Sequence, residues 1–322
     1  MKKKKLWIFI RNCILCIISI FALWVSFHHV MTAFEKKKYS PIGELVEVDG
    51  KNMHVYTKGK GDNPIVLLSG LGTPAPMLDF EPLIDEMAKH HQVVVVEPFG
   101  YGWSEITDKK RTVENIVEEI RLALQKSNID EPYTLMAHSI SGIYSMYFAN
   151  QYPDEVSAII GIDATLPKAT EYFDETPSSP PGILRFVAVT GITRLATYVL
   201  EEDIVPIAES GTYSEDNLHM MKAITAWKGY NKNVMDEANE IEHNIEKTKS
   251  MAFPSNLPVL FFTTKEDELT DNGKNNITFY QTQLTKNTSS TIKTFDGHHY
   301  LHWTHYKAIS EYLNEFISNI NE

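Results

Sequence analysis

Cysteine is almost missing from this chain of 322 residues: Cys13 and Cys16 are the only two, both inside one apolar stretch near the start. The remainder therefore needs no disulfide, can fold in either redox compartment, and lacks the Cys/His spacing of a zinc finger. An excess of positive charge is missing too. Lys and Arg number 30 against 42 Asp and Glu, a formal net charge of −12. Nucleic-acid affinity rests on neutralising phosphates with cations, and no basic stripe is present, so nucleic acid is excluded as a partner. No tandem repeat occurs, which excludes solenoids and arrays.

The first segment present is "MKKKKLWIFIRNCILCIISIFALWVSFHHV". After four lysines comes an apolar run from Leu6 to Phe27, interrupted only by Arg11 and Asn12. At about 1.5 Å per residue it matches a hydrocarbon core of about 30 Å. Arg11 sits close enough to one end to snorkel. Residues 1–30 are read as a membrane anchor. Lys2 to Lys5 favour a cytosolic N-terminus, hence a cell-membrane protein with its domain outside the cytosol; Lys36 to Lys38 oppose that bias. The rival is a cleaved signal peptide, but no small-x-small cleavage site follows the apolar run.

From residue 40 the pattern changes. "ELVEVDGKNMHVYTKGKG" alternates and turns at Asp49-Gly50, which predicts a hairpin. "PIVLLSG", "HQVVVVEPFG", "YTLMAHS", "VSAIIGIDAT", "NLPVLFFTT" and "SSTIKTFDG" read as strands, the apolar ones buried on both faces. Helical spacing fills the gaps: Phe80, Leu83, Ile84 and Met87 in one segment, and Val113, Ile116, Val117, Ile120 and Leu124 in the next. Further helices are predicted over "SGIYSMYFANQYP" and "HYKAISEYLNEFISNI". Alternating strands and helices predict an α/β fold with a mostly parallel sheet. The alternation stops after Asp163. Residues 164–256 carry helical patterns without a central strand, and are read as a helical cap between core parts 40–163 and 257–322.

"LMAHSISG" holds the candidate nucleophile, Ser139. A serine hydroxyl needs a base to take its proton and donors to hold the oxyanion that forms. A strand turning straight into a helix exposes such a serine, and the tight turn needs small residues two before and two after. Ala137 and Ser141 meet that need. From this stretch alone, an N-cap serine of an ordinary helix is the default reading.

Over about Leu45 to the C-terminus the sequence resembles the α/β-hydrolase superfamily, most of all its cap-bearing esterase, peptidase and lactonase-like members. The common Gly-x-Ser-x-Gly elbow is altered at both glycines, to Ala137 and Ser141. "SGLG", Ser69 to Gly72, matches the first oxyanion loop, which implies Leu71 N–H as one donor and Ile140 N–H as the other. "EPFGYGWS" resembles the Asp-x-x-Gly-x-Gly-x-Ser turn, with Glu97 in place of Asp, and its glycines would shape the pocket wall. The resemblance implies Asp267 as the acid, with Glu266 and Glu268 as alternatives, and His299 as the base within "FDGHHYLHW", with His298 the alternative. His138 is read as structural or pocket-lining.

The implied activity is that of a serine hydrolase cleaving an ester or amide through an acyl-enzyme, with no cofactor and no metal. Its partner is a small-molecule ester or short peptide. Family members acting as dehalogenases or epoxide hydrolases carry aspartate at the nucleophile, so Ser139 argues against those activities. The alternative is a cap-bearing protein that binds a hydrophobic ligand with little catalysis. Glu201, Glu202, Asp203 and Glu209 are candidates for holding a peptide amine; stretches near Phe186 and Trp227 suit an acyl chain.

Overall fold

The computed structural model describes residues 2–176, 181–200, 205–265 and 273–321. Eight strands form one sheet: β1 (Glu44–Val48), β2 (Lys51–Lys58), β3 (Ile65–Leu68), β4 (Val93–Glu97), β5 (Tyr133–His138), β6 (Val156–Ile162), β7 (Val259–Thr264) and β8 (Thr291–Phe295). Their order is β1-β2-β4-β3-β5-β6-β7-β8. β1 and β2 pair antiparallel, β2 joins β4 antiparallel, and all later pairs are parallel. The hairpin turns at Asp49 and Gly50, whose φ values of 50° and 74° suit the right-handed twist of the flanking strands.

The apolar runs explain the layering. In β3, Ile65 and Leu67 face one layer while Val66 and Leu68 face the other; Val93 and Val95 against Val94 and Val96 repeat this in β4. Helices Val113–Lys126 and Ser141–Gln151 cover one face. Helices Glu81–Met87 and Tyr306–Asn321 cover the other through Leu83, Ile84, Ile309 and Leu313. The spacing around Phe80 predicted a single helix. It is split into Pro76–Asp79 and Glu81–Met87, because Pro82 inside a continuous helix would clash with the carbonyl of Leu78. Thr112 caps its helix by accepting from Asn115 N–H.

Between β6 and β7 the described residues hold helices and no strand, including Ile192–Val199, Glu215–Lys228, Lys232–Asn239 and Ile241–Thr248. This insertion is a cap. At the other end of the chain, Lys2–Lys38 is one continuous helix. Among the described residues it is the one helix long and apolar enough to cross a membrane.

The turn after β4 is organised around Glu97. Buried Glu97 accepts hydrogen bonds from Met77 N–H (3.1 Å) and Trp103 N–H (2.9 Å), and lies 3.0 Å from His54 Nδ1. It ties three segments beneath the site. Gly102 lies flush against it: a Cβ there would meet Glu97 Oε2 at 1.6 Å, at a φ of +45°. Gly102→Ala is therefore expected to destabilise the fold by roughly 3 kcal/mol or more, measured by urea unfolding of the domain.

Candidate active site

Strand order reverses at β3, so β4 and β5 flank it on opposite sides. At such a reversal the connections leave in opposite directions and open a crevice at the strands' carboxyl ends. The loop after β3 and the turn after β5 both open onto it.

Ser139 follows fully buried β5 directly and precedes the helix Ser141–Gln151. Its φ of +54° is rare for a residue with a Cβ, and the turn is held on all sides. Ser139 N–H donates to Ile162 O (3.3 Å), and Ser139 O accepts from Thr165 N–H (2.8 Å). Ser141 Oγ donates to Ser69 O at 2.5 Å, locking the loop after β3 over the turn. Space is tight there: a Cβ on Gly70 would lie 3.0 Å from Ser139 Cβ, and one on Gly142 would lie 2.5 Å from Thr165 O. Among the described residues, Leu71 N–H and Ile140 N–H have no intramolecular acceptor. Both donors belong to the segments that meet at the turn.

His299 Nδ1 lies 2.6 Å from Asp163 Oδ2. Asp163 is the residue immediately after β6, with a φ of +43°. Its other oxygen accepts from Thr263 Oγ1 at 3.1 Å, and its N–H donates to Phe262 O at 2.8 Å. The carboxylate is thus fixed by β7 and given to His299. Asp267, Glu266 and Glu268 lie outside the described residues. The acid bonded to His299 comes from the end of β6. With Nδ1–H donating to Asp163, Nε2 is left as an acceptor. Among the described residues, no hydrogen bond joins His299 to Ser139 Oγ.

The other histidines of the phrase are occupied elsewhere. His298 Nδ1 accepts from Tyr300 N–H (3.1 Å), and its ring meets Trp303 edge-on. Burial, and then the neighbouring histidines, lower its pKa. His302 is buried with Nε2 2.7 Å from Asp79 Oδ2; Trp303 Nε1 donates to Asp79 Oδ1 at 3.0 Å. Phe80 stacks on His302 with ring centroids 4.1 Å apart. His138 lies beneath the loop, with Nε2 3.2 Å from His299 O. Burial first, then His302 and His299, hold its imidazole well below the usual histidine range, so it stays neutral. The loop bearing His299 is pinned from two sides, by Asp79 and by His138.

The cap reaches the loop after β3 through one buried carboxylate. Glu237 accepts from Tyr101 OH (2.8 Å) and Tyr144 OH (2.6 Å), and Tyr101 OH accepts from Gly72 N–H at 3.2 Å. The sequence reading named none of Asp163, Asp79, Tyr101 and Glu237 as site residues. Only Asp163 had a readable signal, as an acid one position beyond a buried strand at the edge that carries Ser139.

Two cavities flank the constellation. One of about 400 Å³ is lined by Asp163, His299, Ala164, Phe173, Phe279 and Tyr280, among others. Another of about 270 Å³ is bounded by Gly72, Ala75, Met221, Tyr230, Tyr300 and Trp303. Glu209 lines neither and borders a separate cavity with Thr212 and Trp303. Glu201, Glu202 and Asp203 fall outside the described residues. Phe186 is exposed, and Trp227 is partly buried beside Lys36. Among the described residues no cluster of His, Cys, Asp and Glu could hold a metal ion.

Residues 63–188 match the family described as the alpha/beta hydrolase fold. The uncharacterized protein YbdG of Bacillus subtilis is 30% identical over 245 residues, covering 75% of this chain and 74% of that protein. Among solved structures, a putative epoxide hydrolase from Pseudomonas aeruginosa superposes with a TM-score of 0.66 at 14% identity, over 86% of this chain and 95% of that one. The epoxide hydrolase VrEH1 from Vigna radiata gives a TM-score of 0.64 at 18% identity, over 86% and 97%. The chain belongs to the α/β-hydrolase fold family, with the helical insertion between β6 and β7 as its cap.

Proposed function

We propose that the protein is a serine hydrolase that cleaves a carboxylic ester of a small, largely apolar acyl group. The observation that carries this reading is the His299–Asp163 hydrogen bond, formed at the sheet edge where Ser139 occupies its left-handed turn. Ser139 Oγ attacks the ester carbonyl while His299 Nε2 takes its proton. The oxyanion is held by Leu71 N–H and Ile140 N–H. Collapse expels the alcohol, which receives the proton from His299. Water, activated by the same imidazole, then releases the acid and restores the serine. Asp163 keeps the proton on Nδ1 and stabilises the imidazolium.

The cavity beside His299 has apolar lining from Phe173, Phe279 and Tyr280, which suits the acyl group, and polar lining from Glu175, Lys274, Asn275 and Asn276. The names of the structural relatives raise epoxide opening as a second chemistry. A covalent route of that kind needs a carboxylate nucleophile, and Ser139 would leave a stable ether in its place. The apolar run 6–27 anchors the enzyme, and Lys2 to Lys5 favour a domain outside the cytosol.

A fluorophosphonate probe tests the reading directly. Wild type should be labelled at Ser139 and should turn over short-chain nitrophenyl esters. Failure to react with the probe or with any member of an acyl-substrate panel would end the proposal. Because His298 is held away from the reaction, His298→Gln should slow ester turnover by about tenfold or less, the equivalent of about 1.4 kcal/mol in positioning. Steady-state rates, with circular dichroism as a folding check, measure this.

A further inference from the structure

The helix Ile192–Val199 in the cap is inside out. Its polar residues Thr193, Arg194 and Thr197 are buried, at 6%, 2% and 7% exposure. Its apolar residues Ile192, Leu195 and Val199 point outward, at 49%, 49% and 71%. These three recur at helical spacing and form one stripe, which Val189, Tyr198 and Leu200 extend. A helix on a water-facing surface carries the opposite arrangement. A contiguous apolar stripe on a cap marks a surface that meets something other than water.

The structure also fixes where this stripe lies relative to the apolar N-terminal run. Buried Arg194 donates to both carboxylate oxygens of Glu35 at 2.6 Å, to Thr32 Oγ1 at 3.2 Å and to His28 Nδ1 at 3.2 Å. Gly191, at the start of the helix, is pressed against the same place: a Cβ there would lie 2.7 Å from His28 Cβ. His28 is the residue immediately after the Leu6–Phe27 run, and Glu35 is seven residues further on, about 10 Å along the helix. The helix is therefore docked through its polar side on the part of the long helix that leaves the hydrocarbon, with the stripe facing away from that contact. It is held there by a bidentate ion pair rather than a flexible linker. This level matches the zone, about 5–10 Å deep, in which interfacial helices seat their apolar faces. Tyr198 adds an aromatic ring of the kind enriched at membrane boundaries.

We propose that the stripe Ile192, Leu195 and Val199 is a membrane-contact surface, seated in the leaflet from which the N-terminal helix emerges. The cap is then immersed on one side, and the active-site cleft is held at a fixed height over the lipid. This rests on the reading of residues 6–27 as an anchor.

The test uses the full chain reconstituted in vesicles of phosphatidylcholine and phosphatidylglycerol. Single cysteines are placed at Leu195→Cys and Val199→Cys in a Cys13→Ser, Cys16→Ser background and labelled with an environment-sensitive dye. Native Cys16, retained in a Cys13→Ser chain, reports on the anchor. Asp62→Cys, exposed on the loop before β3 at the end of the sheet away from the cap, reports on water. Circular dichroism checks each labelled chain. The probes at 195 and 199 should emit to the blue of the one at 62 and be quenched by lipids carrying a nitroxide near the headgroup. Unquenched, water-like emission at 195 and 199 beside a quenched Cys16 probe would overturn the proposal and leave the anchor standing. Blue emission without quenching would mean that a second copy or another protein covers the stripe, which also overturns it. A Cys16 probe left unquenched by lipids carrying the nitroxide deep in the acyl chain would overturn the anchor itself.

Discussion

Ser139→Ala should leave the fold intact and lower ester turnover at least about a thousandfold, with complete loss of fluorophosphonate labelling. The substitution removes one hydroxyl from a half-buried turn whose backbone is held by Ile162 O, Thr165 N–H and the Ser141–Ser69 contact. None of these supports involves the Ser139 side chain, so unfolding and catalysis separate cleanly. His299→Gln should match it closely, because neither proton removal nor leaving-group protonation is then served. The double variant should be scarcely worse than either single one, since residues that act as a unit are far from additive. Burst kinetics with a nitrophenyl ester measure all three. A normal burst in Ser139→Ala would exclude that residue as the nucleophile.

Most of the scaffold was legible because its signals are local. Valine-rich runs bounded by glycine gave the central strands, and Asp49-Gly50 gave the hairpin. One miss is local, and the others depend on tertiary contact. The break at Phe80 reflects one proline inside an otherwise helical apolar spacing. The helix Ile192–Val199 has a clean amphipathic pattern, yet which side faces inward was set by Arg194 meeting Glu35 from a distant segment. Glu237 looked like one more charge on a helix surface and is buried under two tyrosine hydroxyls; burial raises its pKa against their hydrogen bonds.

The site was legible in part for the same reason. A nucleophile turn and a histidine loop leave motifs, because backbone geometry restricts several adjacent residues at once. A single acid at a strand end leaves almost none. Strands β6 and β7 are neighbours, about 4.8 Å apart, and their carboxyl ends serve the same crevice. Asp163 and Asp267 both stand between Ser139 and His299 in the chain, so order along the sequence does not choose between them. The proposal of Asp163 rests on its hydrogen bond to His299, together with its second oxygen, which accepts from Thr263; Asp267 lies outside the described residues.

That choice yields the second large effect. Asp163→Asn is nearly isosteric, and its amide can accept from Thr263 Oγ1 through its oxygen. Its nitrogen then faces His299 Nδ1 as a donor. The imidazole is driven to carry its proton on Nε2, the atom that must accept from Ser139. Loss of the carboxylate also removes stabilisation of the imidazolium. Turnover should fall on the order of 10³–10⁴-fold, the range seen where a triad aspartate is changed to its amide. Melting behaviour should change little, since shape and volume are kept. Asp267→Asn, made in parallel, should retain turnover within a few-fold. Steady-state ester hydrolysis of the two variants, with thermal melts as the folding control, decides the matter. Collapse of activity in Asp267→Asn with Asp163→Asn near wild type would move the acid from the end of β6 to the loop after β7. The His299–Asp163 bond would then be a resting contact that substrate binding breaks.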